Sequence, residues 1–273
     1  MNTRDSNALL DRAIPDVQGS VDARQQPIRQ VGVKGLRYPM RWRSADGSEQ
    51  PGVGSFGLYV GLPAHQKGTH MSRFVELLEQ AIRPDEPAFD LVVIRALHRD
   101  MLRRLEAQHG RLDVAFTLFL RKAAPVSGVE SLLDYEVSVS VDGGRDDASL
   151  KLSVVVPVKS LCPCSKGVAD YGAHNQRSHL TLAVRSHEPV AVEQLVRIAE
   201  EEASCEVYGL LKRVDEKYVT ERAYDNPKFV EDLVRDVAGR LKADARIEAF
   251  TVEAENFESI HNHSAYARID HPD

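Results

Sequence analysis

Long runs in which apolar and polar residues alternate are what most constrain this chain. Phe56, Leu58 and Val60 alternate with polar or small residues. So do Leu112, Val114, Phe116, Leu118 and Leu120, and then Tyr135, Val137, Val139 and Val141. The pattern returns at Leu150, Leu152, Val154 and Val156, and again at Leu180, Leu182 and Val184. Successive side chains of a strand point to opposite faces, so a period of two gives each segment one apolar and one polar face. Such strands form antiparallel sheets with one wet face and one face covered by helices.

The helices fall between the strands in an order that repeats. After strands at Pro27–Arg43 and Gly54–Leu62, a helical stripe runs through Met71, Phe74, Leu77, Leu78 and Ala81. A second stripe runs through Ile94, Leu97, Met101 and Leu105. In the second half, Leu195, Ile198 and Ala199 mark a helix within Val192–Ala203. Asn226-Pro227 reads as the N-cap and first turn of another, with Leu233, Val237 and Leu241 on its apolar face. Ile247–Glu255 and Ser264–Ile269 read as closing strands.

Each half is therefore strand, strand, helix, helix, strand, strand, without residue-level self-similarity. The expected organisation is α+β: an N-terminal arm over 1–26, a first half over 27–145 and a second over 146–273. The arm has no sustained period and is expected to be mobile, or to order only against another subunit. Strands of about 10 residues leave long edges, which proteins close by pairing. An oligomer whose sheets join into one barrel is the expectation.

Composition narrows the function. The chain has 273 residues, 42% hydrophobic and 28% charged, which reads as soluble and globular. A net charge of -6 advertises no nucleic-acid partner, so a polyanionic substrate would need a local basic pocket. No apolar run approaches the ~18 residues of a membrane span. Met1 to Arg12 lacks the apolar core of a secretion signal, so a cytoplasmic location is expected. The three cysteines, Cys162, Cys164 and Cys205, make a poor disulfide framework and are expected as thiols.

Five segments carry chemistry. Ser160-Leu161-Cys162-Pro163-Cys164-Ser165-Lys166 follows an apolar strand and sets two thiols beside a lysine, which favours thiolate. Phe257 to His263 holds His261 and His263 one residue apart, a compact imidazole pair if the segment is extended. Gly172 to His179 adds His174, Arg177 and His179 shortly beyond the cysteines. Glu216, between the helices, and Glu231, near a helix start, supply carboxylates. Gly68 to Phe74 opens a helix whose free N–H groups suit phosphate, with His70 and Arg73 alongside. Each has a plainer reading taken alone: inert thiols, solvent-facing histidines, a polar loop, a stabilised first-turn carboxylate, an ordinary capped helix.

Together these pieces resemble one family. SLCPCSK (Ser160 to Lys166), GTHMSRF (Gly68 to Phe74), FESIHNH (Phe257 to His263) and DNPKFVED (Asp225 to Asp232) are similar to the motifs of type IB GTP cyclohydrolase I. Pro15-Asp16-Val17-Gln18 and Val31-Gly32-Val33-Lys34-Gly35 fit the same family. The resemblance covers residues from about 15 to 268. It implies the tunnelling fold, two hairpin pairs and two helices per half. It also implies a homotetramer with active sites at subunit interfaces. The implied reaction opens the imidazole ring of GTP, releases formate and recloses to 7,8-dihydroneopterin triphosphate, at the start of folate and pterin, or queuosine-precursor, biosynthesis.

The family's metal ligands fall on Cys162, His174, Glu216 and His261, a mixed set that zinc, manganese or iron could occupy. Its purine-anchoring carboxylate falls on Glu231, with Glu258 as the alternative. His179 and His263 are the candidate proton carriers, beside Cys162 and His174 at the catalytic centre. Lys67, His70, Arg73, Lys166 and Arg177 are candidates for the triphosphate. Two rivals share these features. One is a tunnelling-fold nitrile reductase of queuosine synthesis, which needs a nicotinamide site and forms a covalent thioimide. The other is a non-catalytic purine- or pterin-binding protein.

Overall fold

The computed structural model describes residues 17–272. Its strands form one antiparallel sheet in chain order. The path runs β1 (Ile28–Arg43), β2 (Glu49–Leu62), β3 (Gly110–Ala123), β4 (Glu130–Gly143), β5 (Ser149–Leu161), β6 (Asn175–Ser186), β8 (Ile247–Asn256) and β9 (Ala265–His271). The two-residue β7 (Cys205–Glu206) pairs with β5 off that path. β1 and β9 are the ends of the path. β1 bends through register shifts near Val33/Leu36, where Gly35 takes φ +68, a backbone conformation that favours glycine.

The alternation decides which face is covered. Leu58, Leu112, Val114, Val139, Leu152, Val154, Leu182 and Val252 are all buried in one continuous core. Helices α1 (Met71–Ala81), α2 (Leu91–Arg104), α4 (Val192–Glu202) and α6 (Val230–Lys242) bring Phe74, Leu78, Ile94, Met101, Leu195, Leu233 and Val237 onto that face. Burying a leucine or isoleucine fully contributes about 1.5–3 kcal/mol. The opposite face keeps Ser55, Thr117, Glu136, Lys151, Arg177 and Arg185 exposed, and Ser140, Ser153 and Thr181 half-buried. The α+β architecture read from the sequence is the one found.

Three local expectations are corrected. The helix expected from Asn226-Pro227 begins at Val230, with Phe229 as its N-cap. Asn226 instead ends the preceding helix, and its amide donates to the Ala203 carbonyl at 2.8 Å. That preceding helix, α5 (Arg213–Asp225), was not expected at all, so Glu216 sits on a helix rather than in a connector. Its buried face is only Asp215, Val219 and Ala223, one residue per turn and polar at its start, too thin a stripe to read as amphipathic. Third, His261 and His263 lie in a bend rather than an extended segment. A short helix α3 (Pro163–Val168) also follows Cys162.

Of the arm, residues 1–16 lie outside the described residues. The stretch that follows is tied to the loop after β2. Asp22 N–H donates to His65 O at 2.9 Å, Lys67 N–H to Ser20 O at 3.0 Å and Gly68 N–H to Gln18 O at 3.0 Å. Residues 18–22 thereby pack on the segment that opens α1.

His98 on α2 is completely buried, with Nε2–H donating to Gly110 O at 2.9 Å and Nδ1 left without a partner. Burial pushes its pKa below 6.5, against the smaller opposing effect of that hydrogen bond. The unfolded chain therefore takes up a proton that the folded chain refuses. Stability should be flat above about pH 6.5 and fall as the pH drops below it. His98→Met should flatten that part of the denaturation profile between pH 7 and 5. An unchanged slope would show that other groups carry it.

Candidate active site

The strand register sorts the candidate residues by position. β5 ends at Leu161, opposite Asn175 at the start of β6, and Ser178 on β6 pairs with Asn256 at the end of β8. Cys162, His174, Glu258, His261 and His263 therefore leave the sheet at one end, and Arg177 and His179 lie on β6 beside it. Lys228 N–H donates to Leu161 O at 3.0 Å, which brings the start of α6, with Glu231, to that end too. Asp215 holds the β3–β4 turn through Ser127, which places α5 and Glu216 there as well. Lys67, His70 and Arg73 are at the opposite end, because β2 ends beside Gly110 and Gly143, where β5 begins. The 13 residues of β5 separate the two groups by about 40 Å along the strands.

Cys162 and His174 face each other across a closed loop. Cys162 N–H donates to His174 O at 3.2 Å. The Ser165 hydroxyl donates to Cys162 O and accepts from His174 N–H, both at 3.1 Å. Pro163 fits the first helical position because it has no N–H to lose there. The His174 side chain is 14% exposed and that of Glu258 is 10%, with 3.8 Å between Nδ1 and the carboxylate. His174 Nδ1 lies 3.1 Å from Gln176 Oε1. An amide oxygen only accepts, so Nδ1 carries the hydrogen of this bond.

The sequence reading missed what lies beneath. Gln176 Nε2 donates to Ser160 Oγ at 2.9 Å, Ser160 Oγ lies 2.8 Å from Ser178 Oγ, and Ser178 Oγ donates to Asn256 Oδ1 at 2.6 Å. All four are buried. Each occupies the apolar phase of its strand, continuing Leu180, Val158 or Ala254, and that misplaced polarity is the signal that could have revealed them.

The other candidates divide. His179 packs edge-on against Phe257, with ring centroids 4.8 Å apart. With Arg177 it lines a cavity of about 530 Å³ that also takes in Lys159, Glu206 and Tyr208. His261 and His263 stack at 5.1 Å and are exposed, as are Glu216 and Glu231. Lys166 is committed to Tyr224, donating to its carbonyl and lying 4.2 Å from its ring centroid. Arg73 donates to Arg104 O at 3.1 Å. Lys67 is exposed and His70 is the N-cap of α1, with no side-chain cap hydrogen bond. Among the described residues, no three or more His, Cys, Asp or Glu side chains converge as a metal site. Cys162 and His174 are thus brought together, while Glu216 and His261 share their end of the sheet without closing on them. The third thiol is different: burial and the neighbouring Glu206 push Cys205 up to about 11, leaving it inert.

Comparisons with known proteins bear on the fold and the family. In solved structures, the fold matches uricase from Arthrobacter globiformis at TM-score 0.51, with 8% identity over 89% of this chain and 92% of that one. It matches urate oxidase from Bacillus sp. TB-90 at TM-score 0.54, with 8% identity over 89% and 99%. The chain has their tunnelling fold; at that identity, the likeness speaks for fold alone. Sequence relatives are far nearer. GTP cyclohydrolase FolE2 of Paraburkholderia phymatum is 62% identical over 258 residues, 94% of each chain. That of Burkholderia multivorans is 60% identical over 257 residues, again 94% of each. GTP cyclohydrolase FolE2 1 of Dechloromonas aromatica is 60% identical over 96% of this chain and 98% of that one. The family model described as type I GTP cyclohydrolase folE2 matches residues 14–267, which include every motif gathered at the Cys162 end of the sheet. The chain belongs to the type I GTP cyclohydrolase folE2 family.

Proposed function

We propose that this protein opens the imidazole ring of GTP by hydrolysis, releases formate and recloses the product as 7,8-dihydroneopterin triphosphate, using a divalent metal held at Cys162 and His174. The observation that carries this reading is the Cys162–His174 loop, where a half-buried thiol and an imidazole bonded through Nδ1 to Gln176 share one hydrogen-bonded turn. Those donors fit a metal. A thiolate and a neutral imidazole suit zinc, iron or manganese, and Glu216 and His261 complete the set the family resemblance implies. Such an ion lowers the pKa of bound water toward ~7, the chemistry that attack on C8 of the purine requires.

The chain's own groups do the rest. Glu231, exposed at the start of α6, can accept the guanine N1–H and 2-amino hydrogens together, which selects guanine over adenine. Glu258 beside His174 is the alternative carboxylate. His179, held by Phe257, and His263 are suited to carry protons during formate release and ring closure. Arg177, and Lys166 if it leaves Tyr224, offer charge to the triphosphate at the same end.

Lys67, His70 and Arg73 cannot reach that end within one chain, given the ~40 Å between the two groups. We therefore assign any phosphate contact they make to a neighbouring subunit. Sheet ends at β1 and β9 that need partners support the homotetramer with interfacial sites. The reactive thiols and mixed metal set fit a reducing, cytoplasmic setting.

The test is fluorescence of oxidised neopterin after incubating metal-stripped protein with GTP and Zn(II), Mn(II) or Fe(II) separately. Stripping should remove activity and one metal should restore it. A folded tetramer that binds GTP but forms no fluorescent product with any metal would support the binding-protein reading instead.

A further inference from the structure

We propose that Gln176 is a positioning residue for His174. In this role it fixes the imidazole as the Nδ1–H tautomer and aims Nε2 at the metal, and Ser160, Ser178 and Asn256 hold Gln176 in place. The inference rests on the metal reading above only in naming what Nε2 is for.

The argument is one of donor counting. Asn256 Oδ1 can only accept, so the hydroxyl of Ser178, 2.6 Å away, must donate to it. A serine hydroxyl has one hydrogen, so Ser178 accepts from Ser160 at 2.8 Å. Ser160 has then spent its hydrogen and must accept from Gln176 at 2.9 Å, which requires the NH2 side of the amide. That leaves the amide oxygen facing His174 Nδ1 at 3.1 Å, which has to donate. Every bond runs in the same direction, and the chain contains no group with two choices once its far end is set.

The chain is buried: Ser160 and Ser178 are fully so, Asn256 is 3% exposed and Gln176 is 8% exposed. Water cannot readily replace a lost partner there, so an unmade bond costs more than it would at the surface. Its four members come from β5, β6 and β8, so the paired strands of the sheet, as well as the Cys162–His174 loop, set the imidazole direction. Glu258 also approaches Nδ1, but at 3.8 Å it is beyond hydrogen-bond reach. Partners of this kind, behind a metal-binding histidine, typically change metal affinity 10–100-fold when removed.

The experiment uses full-length protein and two readouts. The first is the 15N NMR spectrum of the metal-free protein at pH 8.5, with His174 assigned from a His174→Ala sample. Wild type should show the Nδ1–H tautomer. Gln176→Leu should lose that preference, Gln176→Glu should keep it because a carboxylate still accepts, and Glu258→Gln should leave it unchanged. The second is the zinc Kd by competition with a chromophoric chelator, which should weaken about 10–100-fold in Gln176→Leu and only a few-fold in Gln176→Glu. If Gln176→Leu does not fold, Ser160→Ala tests the same chain from behind and should disturb the tautomer. An Nε2–H tautomer in wild type, or a Gln176→Leu protein with unchanged tautomer and zinc Kd, would overturn the proposal. Failure of wild type to bind zinc, with the Nδ1–H tautomer intact and lost in Gln176→Leu, would end the metal reading and uphold the role of Gln176.

Discussion

Cys162→Ala should lower GTP turnover by on the order of 10³-fold or more, with the protein still folded, because on the proposed reading it removes the thiolate that holds the metal. The backbone explains why the fold should survive. Cys162 holds its loop through its own N–H and carbonyl, bonded to His174 O, Ser165 Oγ and Lys166 N–H, and alanine keeps all three. Its thiol takes no part in the core. Bound metal per subunit should fall together with turnover. Cys205→Ala is the matched control. That thiol is buried in a small cluster with Val219 and Ala223, so its removal should cost some stability but leave metal content and turnover within a few-fold of wild type. Turnover in Cys162→Ala close to wild type would remove the thiolate from the mechanism, and loss of metal in Cys205→Ala would place the site elsewhere.

Asp215→Ala should produce the largest loss of stability of any single substitution on α5, with a fall in Tm of roughly 5–10 °C. The carboxylate is fully buried and accepts four hydrogen bonds. Val126 N–H lies at 2.9 Å, Ser127 N–H at 2.8 Å, the Ser127 hydroxyl at 2.6 Å and Lys212 N–H at 2.9 Å. Alanine would strand all of these donors around a cavity. Burial raises the pKa of Asp215, but the bonds from Ser127, Lys212 and Val126 more than offset it, and the group is held well below the ordinary carboxylate range. Its stabilisation is therefore complete above about pH 4 and is lost progressively as the pH falls further. The acid arm of the wild-type stability profile should flatten in Asp215→Asn, which cannot titrate. Because Glu216 follows directly on the same helix, loosening α5 should also weaken metal binding if Glu216 is a ligand. An Asp215→Ala protein that melts with wild type would show that the β3–β4 turn and α5 do not depend on this contact.

The sheet was legible because its signal is local: each strand states its own period, and strands such as β3 and β4 keep it over their length. Helices α1, α2, α4 and α6 were legible for the same reason, since each carries a broad apolar face that only a 3.6-residue period explains. α5 was not. Its apolar stripe is thin, and it is anchored by a buried carboxylate bonded to a turn about 90 residues earlier; nothing in Arg213–Asp225 says that such a turn exists. The start of α6 was misplaced by a related ambiguity. Asn226 has the right chemistry to begin a helix or to end one, and its bond to Ala203 on another element decided between them.

The site divides along the same line. The residue types and spacings of SLCPCSK, GAHNQRSH and FESIHNH determine which thiols, imidazoles and carboxylates are available, and they were enough to suggest the chemistry and the family. The tertiary structure alone decided which of them meet. Antiparallel register set Cys162 opposite His174, stacked Gln176, Ser160, Ser178 and Asn256 behind them, and sent Lys67, His70 and Arg73 to the far end of the sheet. The physical reason is that periodicity fixes the face on which a side chain lies, whereas neighbours across strands are fixed by pairing between segments up to 78 residues apart, as Ser178 and Asn256 are.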